Sequence, residues 1–373
     1  MCATVPFYAV TKQKCIDQNQ KTRKGYVMEL FTHLRSWLIR YSIIAFSFFV
    51  LSGCSSLYTV VGKGASNFGQ DVMMPYLLTT KDMELACSTG ESLGPVLASL
   101  GQYTTDIQQL KVLTNLIAGL CAHEKAQEAN LEFIRLAKIG QIAVAQDART
   151  RSKRLHTIAA DRQYNAYLAL RSIHGEIGNE CPMFSNENDE LTWILGTMAA
   201  VQSVLSDTAG GGEIGVPKKL APRAIRAASC LDTVEGNQRW WGLPKAIIAL
   251  LSSILPGAGE EGVDQWEQMA IAVQIGEDQG VRISRALMAV GAENAGKIDL
   301  LKNLIRDQAN SIKEIAPSRD FRLLDTVATV MIIGLSDILW TEAEGHRTPH
   351  GALGTFWDDA EDNEGLDIDF GDL

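Results

Sequence analysis

From residue 124 to residue 171 the chain runs 48 residues without a proline, rich in Ala, Gln, Leu, Arg and Glu. These are strong helix formers, and none of them competes with the backbone for hydrogen bonds. The apolar positions Leu131, Ile134, Ala137, Ile139, Ile142 and Ala145 recur at helical spacings. The stretch is too long for one globular helix, so a break is expected near Gly140 or near Ala159-Ala160. Strand signals, alternating Val, Ile and Thr between Asn-Gly turns, are absent. The fold class this implies is all-α, a helix array or bundle.

Further helices are expected on both sides of that stretch. Residues 82–100 follow Thr80 as N-cap and close at Gly101-Gln102, and Thr105 caps a helix over 106–120. Residues 175–186, with Cys181-Pro182, read as a loop before a helix over 191–205 capped by Asn188 or Asp189. An irregular stretch over 208–217 leads to a short helix near 222–231. An apolar helix over 244–255 ends at Pro256-Gly257-Ala258-Gly259. Helices over 263–290, 299–315 and 319–340 complete the pattern. Residues 358–372 hold eight acids and no base, which predicts a solvated, disordered tail.

The N-terminal region carries an address. Arg35 and Arg40 precede an apolar run from Tyr41 to Val50, and Leu51-Ser52-Gly53-Cys54 follows. A positive region, an apolar core of about 7–15 residues and small residues before a cut make a secretory signal. Here the cut falls before a cysteine, the layout of a bacterial lipoprotein signal with Cys54 as the lipidated residue. Residues 41–53 are 13 in number, short of the roughly 20 apolar residues that span a bilayer. Residues 1–27 are polar and basic, and Met28 opens a signal of ordinary length. Met28 is therefore the expected start, with residues 1–53 an extension and signal outside the fold. The expected location is the bacterial cell envelope, periplasmic side, lipid-anchored through Cys54. Ser55 after the cysteine fits sorting to the outer membrane.

The chain has 34 Lys and Arg against 44 Asp and Glu, of which residues 1–53 hold seven and two. The remaining 320 residues keep 27 against 42, a net charge of −15. That surplus of acid argues against nucleic acid as a partner and against adhesion to anionic lipid by charge alone. Anchorage would rest on acyl chains, of which more than one is needed for stable attachment.

Past Cys54, four cysteines remain: Cys87, Cys121, Cys181 and Cys230. An even number in an oxidising compartment suggests disulfides, and four cysteines allow three pairings. Pairing of sequence neighbours, Cys87–Cys121 and Cys181–Cys230, is favoured because consecutive helices pack together. A zinc site lacks Cys-x-x-Cys or His-x3–5-His partners at usable spacing, and buried free thiols are the plainer alternative. The sequence implies no metal and no cofactor.

Other motifs are weak. The run Gly210-Gly211-Gly212-Glu213-Ile214-Gly215-Val216-Pro217-Lys218 lacks the Gly-Lys-Ser/Thr triplet of a phosphate-binding loop and reads as a flexible connection. His346 and His350 lie four apart, but Pro349 forbids the helix that would bring them to one face. Arg347 could meet an anionic ligand or a carboxylate. Arg239-Trp240-Trp241-Gly242 is either a recognition patch or a buried anchor, and core is the default for tryptophan. Glu124, Glu128 and Asp161 read as a solvated helix face. No Gly-x-Ser-x-Gly elbow and no glycosidase carboxylate pair occurs.

Cys54-Ser55-Ser56-Leu57, a small-residue linker, and Leu77-Leu78-Thr79-Thr80-Lys81-Asp82-Met83-Glu84-Leu85-Ala86 resemble the start of the T-component lipoproteins associated with TRAP transporters. Gly90, Leu93, Pro95, Leu97 and Leu100 stand in the places of that family's Gly- and Leu-rich helix. The likeness covers residues 54–120. It implies an all-helical periplasmic scaffold of tetratricopeptide-like helix pairs that partners a solute-binding protein or transporter subunit. A 34-residue repeat with its Trp, Gly, Tyr, Ala and Pro positions is not found.

The expected organisation is a linker over 54–80, helical regions over 81–207 and 208–345 that could share one domain, and a loop and acidic tail over 346–373. The expected role is a non-catalytic scaffold or binding module tied to the membrane through Cys54, linked to a TRAP-type uptake system. The second reading is an envelope enzyme or small-ligand-binding protein with a site near Arg239, Trp240, His346 and Arg347. Convergence of those four residues in one pocket with a carboxylate would favour it.

Overall fold

A computed structural model describes residues 64, 67–101, 107–255, 257–259 and 262–359. The signal, Cys54, Thr105 and the tail beyond residue 359 lie outside the described residues. Those described form twelve α-helices and one π-helical turn, with no strand among them. The fold is an all-α helix array. The helices are α1 (Met74–Thr79), α2 (Met83–Leu100), α3 (Gln108–Lys138), α4 (Ile142–His174), α5 (Glu187–Gly210), α6 (Leu220–Ser229), α7 (Val234–Arg239), α8 (Leu243–Ile254), α9 (Gln265–Asp278), α10 (Ile283–Asn294), α11 (Ile298–Glu314) and α12 (Arg322–Glu344). Their lengths, from six to 33 residues, follow no single repeat.

The long proline-free stretch breaks at Gly140, whose φ of +76° closes the α3–α4 turn. Ala159 and Ala160 instead lie inside α4, fully buried. The seam between the two helices is built of small residues. Ala122, Ala126 and Ala129 on α3 and Ala145, Ala148, Ser152 and Ala159 on α4 are buried at spacings of three, four and seven. Small side chains let the backbones come close, and Ser152 Oγ reaches across to the Ala126 carbonyl at 2.9 Å. Ile139 and Ile142, expected on the packed face, are 66% and 59% exposed because they flank the turn.

Other boundaries shift for local reasons. Asp82, not Thr80, caps α2, its carboxylate accepting from Leu85 N at 2.9 Å. Asn186, not Asn188 or Asp189, caps the helix expected over 191–205, and α5 runs from Glu187 to Gly210. The helix expected over 263–290 is two, α9 and α10, parted at Gly280. Gly280 has a φ of +69°, and a Cβ there would stand 2.7 Å from the Ala316 carbonyl oxygen. Asp358 and Asp359, expected in the solvated tail, fold back onto α11 to meet Lys302 (2.6 Å) and Arg306 (2.5 Å).

The main hydrophobic core runs from Met74 to Phe356, and a smaller cluster gathers Leu97, Ile107 and Leu110. Disulfides join Cys87 to Cys121, fastening α2 to α3, and Cys181 to Cys230, fastening the α4–α5 loop to the end of α6. Helix α12 is the one described helix both long and apolar enough to cross a membrane, and 61% of its most apolar stretch is buried in the body. It returns alongside α3, where Lys138 Nζ donates to the Glu342 carbonyl at 3.1 Å. Helices α3, α5, α8, α10 and α12 therefore surround one interior volume.

Candidate functional site

That interior holds a cavity of about 120 Å³. Leu120 and His123 of α3, Met198, Val201, Gln202, Leu205 and Ser206 of α5, and Ile247, Leu250 and Leu251 of α8 form most of its wall. Leu287 and Val290 of α10 and Met331 of α12 complete it. A second hollow of about 20 Å³ lies toward Leu78 and shares Leu120, Met198, Gln202, Leu287 and Met331 with the first. Both hollows are lined by the thioethers of Met198 and Met331, flexible side chains that can re-pack around a guest. An engineered apolar cavity of about 150 Å³ stays dry and takes up benzene. The volume here is of that order.

Three polar side chains touch this cavity. Burial pushes the pKa of His123 down to about 4, with the neighbouring His156 adding to the shift. The two imidazole rings meet edge to face at 5.2 Å. His123 is therefore neutral at ordinary pH and can donate or accept a hydrogen bond without bringing charge. Gln202 Oε1 is buried without a partner. An unpaired buried acceptor is costly unless something donates to it. Ser206 is engaged elsewhere: with its amide turned to satisfy both ends, Gln163 donates to Ser206 Oγ at 2.8 Å. A guest with an apolar body and one donor group would meet every requirement of this wall.

The residues singled out from sequence lie elsewhere, in two places. Arg239 Nη1 donates to both oxygens of Glu190, at 3.0 and 2.9 Å, and its Nε stands 3.4 Å from Glu187. Trp240 Nε1 donates to the same Glu190 at 2.9 Å while its ring is buried against Trp241 and Phe321. His346 stacks on Trp340 at 5.4 Å in the loop after α12. Arg347 pairs with Glu128 of α3, one of the acids expected to face only solvent. The pairs share no partner, and none of the four lines the cavity. His123, Gln202, Met198 and Met331 were not singled out. The sequence signal for the first two is slight: Gln202 interrupts an apolar helical run, and His123 ends one at Glu124-Lys125.

Two wider hollows carry charged side chains. One, of about 530 Å³ between α2, α3 and α4, is crossed by Arg162, held by Glu91 at 2.8 Å. The other, of about 310 Å³ beside α8 and α9, holds Lys245 and Asp232 at 3.4 Å. Comparison of the chain with protein-family models, curated proteins and solved structures finds no match.

Proposed function

We propose that this chain is a lipid-anchored, non-catalytic binding module of the bacterial envelope. In this reading it takes a small, mostly apolar molecule into the cavity between α3, α5, α8, α10 and α12. The observation that carries it is the cavity wall: ten apolar side chains, a neutral His123 and an unpartnered Gln202 oxygen, with Ser206 turned to Gln163. Such a lining selects by size and a single hydrogen bond, as ligand pockets commonly do. The signal ending at Cys54 supports attachment on the periplasmic side, and Ser55 supports the outer membrane. The resemblance over residues 54–120 supports a TRAP-type solute-binding protein or transporter subunit as partner.

The test is thermal unfolding of the disulfide-intact protein with benzene and with phenol as probes. A ligand at 100 times its Kd stabilises the native state by about 2.7 kcal/mol. Both probes are expected to raise the Tm, phenol more than benzene because its hydroxyl can donate to Gln202. Met198→Phe, which fills the cavity, is expected to melt cooperatively and to lose both shifts. Equal responses of Met198→Phe and the parent would overturn the reading. Crosslinking of the acylated protein in membranes, read by mass spectrometry, tests the transporter link separately.

A further inference from the structure

Before α2 the chain forms one continuous helical stretch over residues 67–79, π-helical at Gly69–Met73 and α-helical from Met74. Its inner face is closed by the core: Gly69, Met74, Leu77 and Leu78 are buried. Gly69 lies against Leu110 so closely that a Cβ would overlap its methyl groups. The outer face carries an apolar row. Phe68 is 61% exposed, Val72 53% and Tyr76 69%, and their spacing of four sets them in one row. An apolar row opposite the core face wants a cover of its own.

We infer that Phe68, Val72 and Tyr76 rest in the headgroup layer of the bilayer that holds the acyl chains of Cys54. The inference rests on the anchored reading of Cys54. Three features select lipid as the cover. Phe68 follows Cys54 by 14 residues, a tether of at most about 50 Å when fully extended, so the row is on the described helix tied nearest to the anchor. Phe and Tyr suit the boundary layer, where an apolar ring body and a polar tip are both satisfied. The row carries no Lys or Arg, and Asp71 lies exposed beside it. With a net charge of −15 for residues 54–373, the matching surface is zwitterionic phospholipid rather than anionic lipid. The exposed Ile139, Ile142 and Val144 at the α3–α4 turn have no such tether and serve as the internal control.

The experiment reconstitutes the full-length acylated protein in phosphatidylcholine vesicles whose chains carry bromine, a short-range quencher of tryptophan emission. Phe68→Trp, Tyr76→Trp and Ile142→Trp each add a tryptophan at an exposed position, and the parent emission is subtracted. Roughly half of the emission added at 68 and 76 is expected to be quenched, and none of that added at 142. Vesicle flotation is scored on the same samples. Protein that floats without quenching at 68 and 76 overturns the inference while leaving the anchor intact. Equal quenching at all three positions overturns it too, since the molecule would then lie on lipid without a preferred face. Protein that does not float overturns the anchor, and the inference falls with it.

Discussion

Arg282 and Asp325 form a buried ion pair in which one guanidinium nitrogen, Nη1, reaches both carboxylate oxygens, at 2.8 and 2.7 Å. The same carboxylate accepts from Arg282 N at 3.0 Å. The rest of the guanidinium caps the end of α11, with Nε on Ser311 Oγ and Nη2 on the Ser311 carbonyl, both at 2.8 Å. One side chain thereby joins the start of α10, the end of α11 and the first turn of α12. Of the three, α10 and α12 line the cavity.

Removing one partner of such a pair leaves an uncompensated buried charge, which costs about 3–5 kcal/mol. Asp325→Ala is expected to lower stability by that amount in urea unfolding. The double variant Arg282→Met/Asp325→Leu, which removes both charges and keeps volume, is expected to recover most of it. A double variant as unstable as the single one would show that the capped carbonyls of α11, and not the pair, carry the stability.

The two disulfides act mainly on the unfolded chain. They close loops with sequence separations of 34 and 49 residues, worth about 4 kcal/mol each in the chain-entropy model. Cys87→Ser/Cys121→Ser and Cys181→Ser/Cys230→Ser are each expected to lose stability of that order. Adding reductant to either variant should then remove only the remaining bridge. Unfolding midpoints with and without reductant check this. Insensitivity of the parent to reductant would contradict it.

The all-α class was readable in composition and period because helix propensity acts locally. The turn at Gly140 was readable for the same reason, though only as one of two candidate breaks with Ala159-Ala160. The split at Gly280 was not, since it is set by the Ala316 carbonyl from another part of the chain. Nor was the cap at Asp82, since Thr80 is also a capping residue and the backbone geometry decides between them. The cavity was illegible for a deeper reason. Its wall comes from five helices, and each Leu, Ile, Val or Met in it looks like ordinary core until the neighbours fail to fill the space. Arg239 and Trp240 are held together by Glu190, while His346 rests on Trp340 and Arg347 on Glu128, so the four do not gather in one pocket.

His123 makes stability depend on pH. Its pKa falls from an ordinary 6.5 to about 4 in the folded chain, because burial disfavours the charged ring. Between those values the unfolded chain binds the extra proton, so acid favours unfolding. The stability is whole above pH 6.5, declines as pH falls, and is lost by about pH 4, a change of about 3 kcal/mol. His156 and His174, also lowered by burial, add in the same direction. His123→Gln is expected to flatten the slope of stability between pH 6.5 and 4, measured by urea unfolding across that range. An unchanged slope would place the proton uptake on other groups.

The surface arginines should matter little. Arg347 and Glu128 are each about half exposed, at 40% and 48% of their side chains, and exposed pairs contribute about 0–1 kcal/mol. Arg347→Ala and Arg239→Ala are expected to shift the Tm by no more than a few degrees and to leave the response to benzene and phenol unchanged. Loss of that response in either variant would move the binding site away from the cavity.

Gly242 and Gly212 separate two reasons for a glycine. Both are left-handed, with φ of +70° and +79°. A Cβ at Gly212 would meet nothing within 4 Å, while one at Gly242 would stand 2.3 Å from the Ala272 carbonyl oxygen. Gly212→Ala therefore carries only the left-handed penalty, about 1–2 kcal/mol. Gly242→Ala adds a backbone clash and must push α8 from α9, for a total expected above about 3 kcal/mol. Because α8 supplies Ile247, Leu250 and Leu251 to the cavity, Gly242→Ala should also weaken the stabilisation by benzene, and Gly212→Ala should not. Urea unfolding of the two variants, with and without benzene, reads both effects, and equal losses would show that the α8–α9 contact yields without moving the wall.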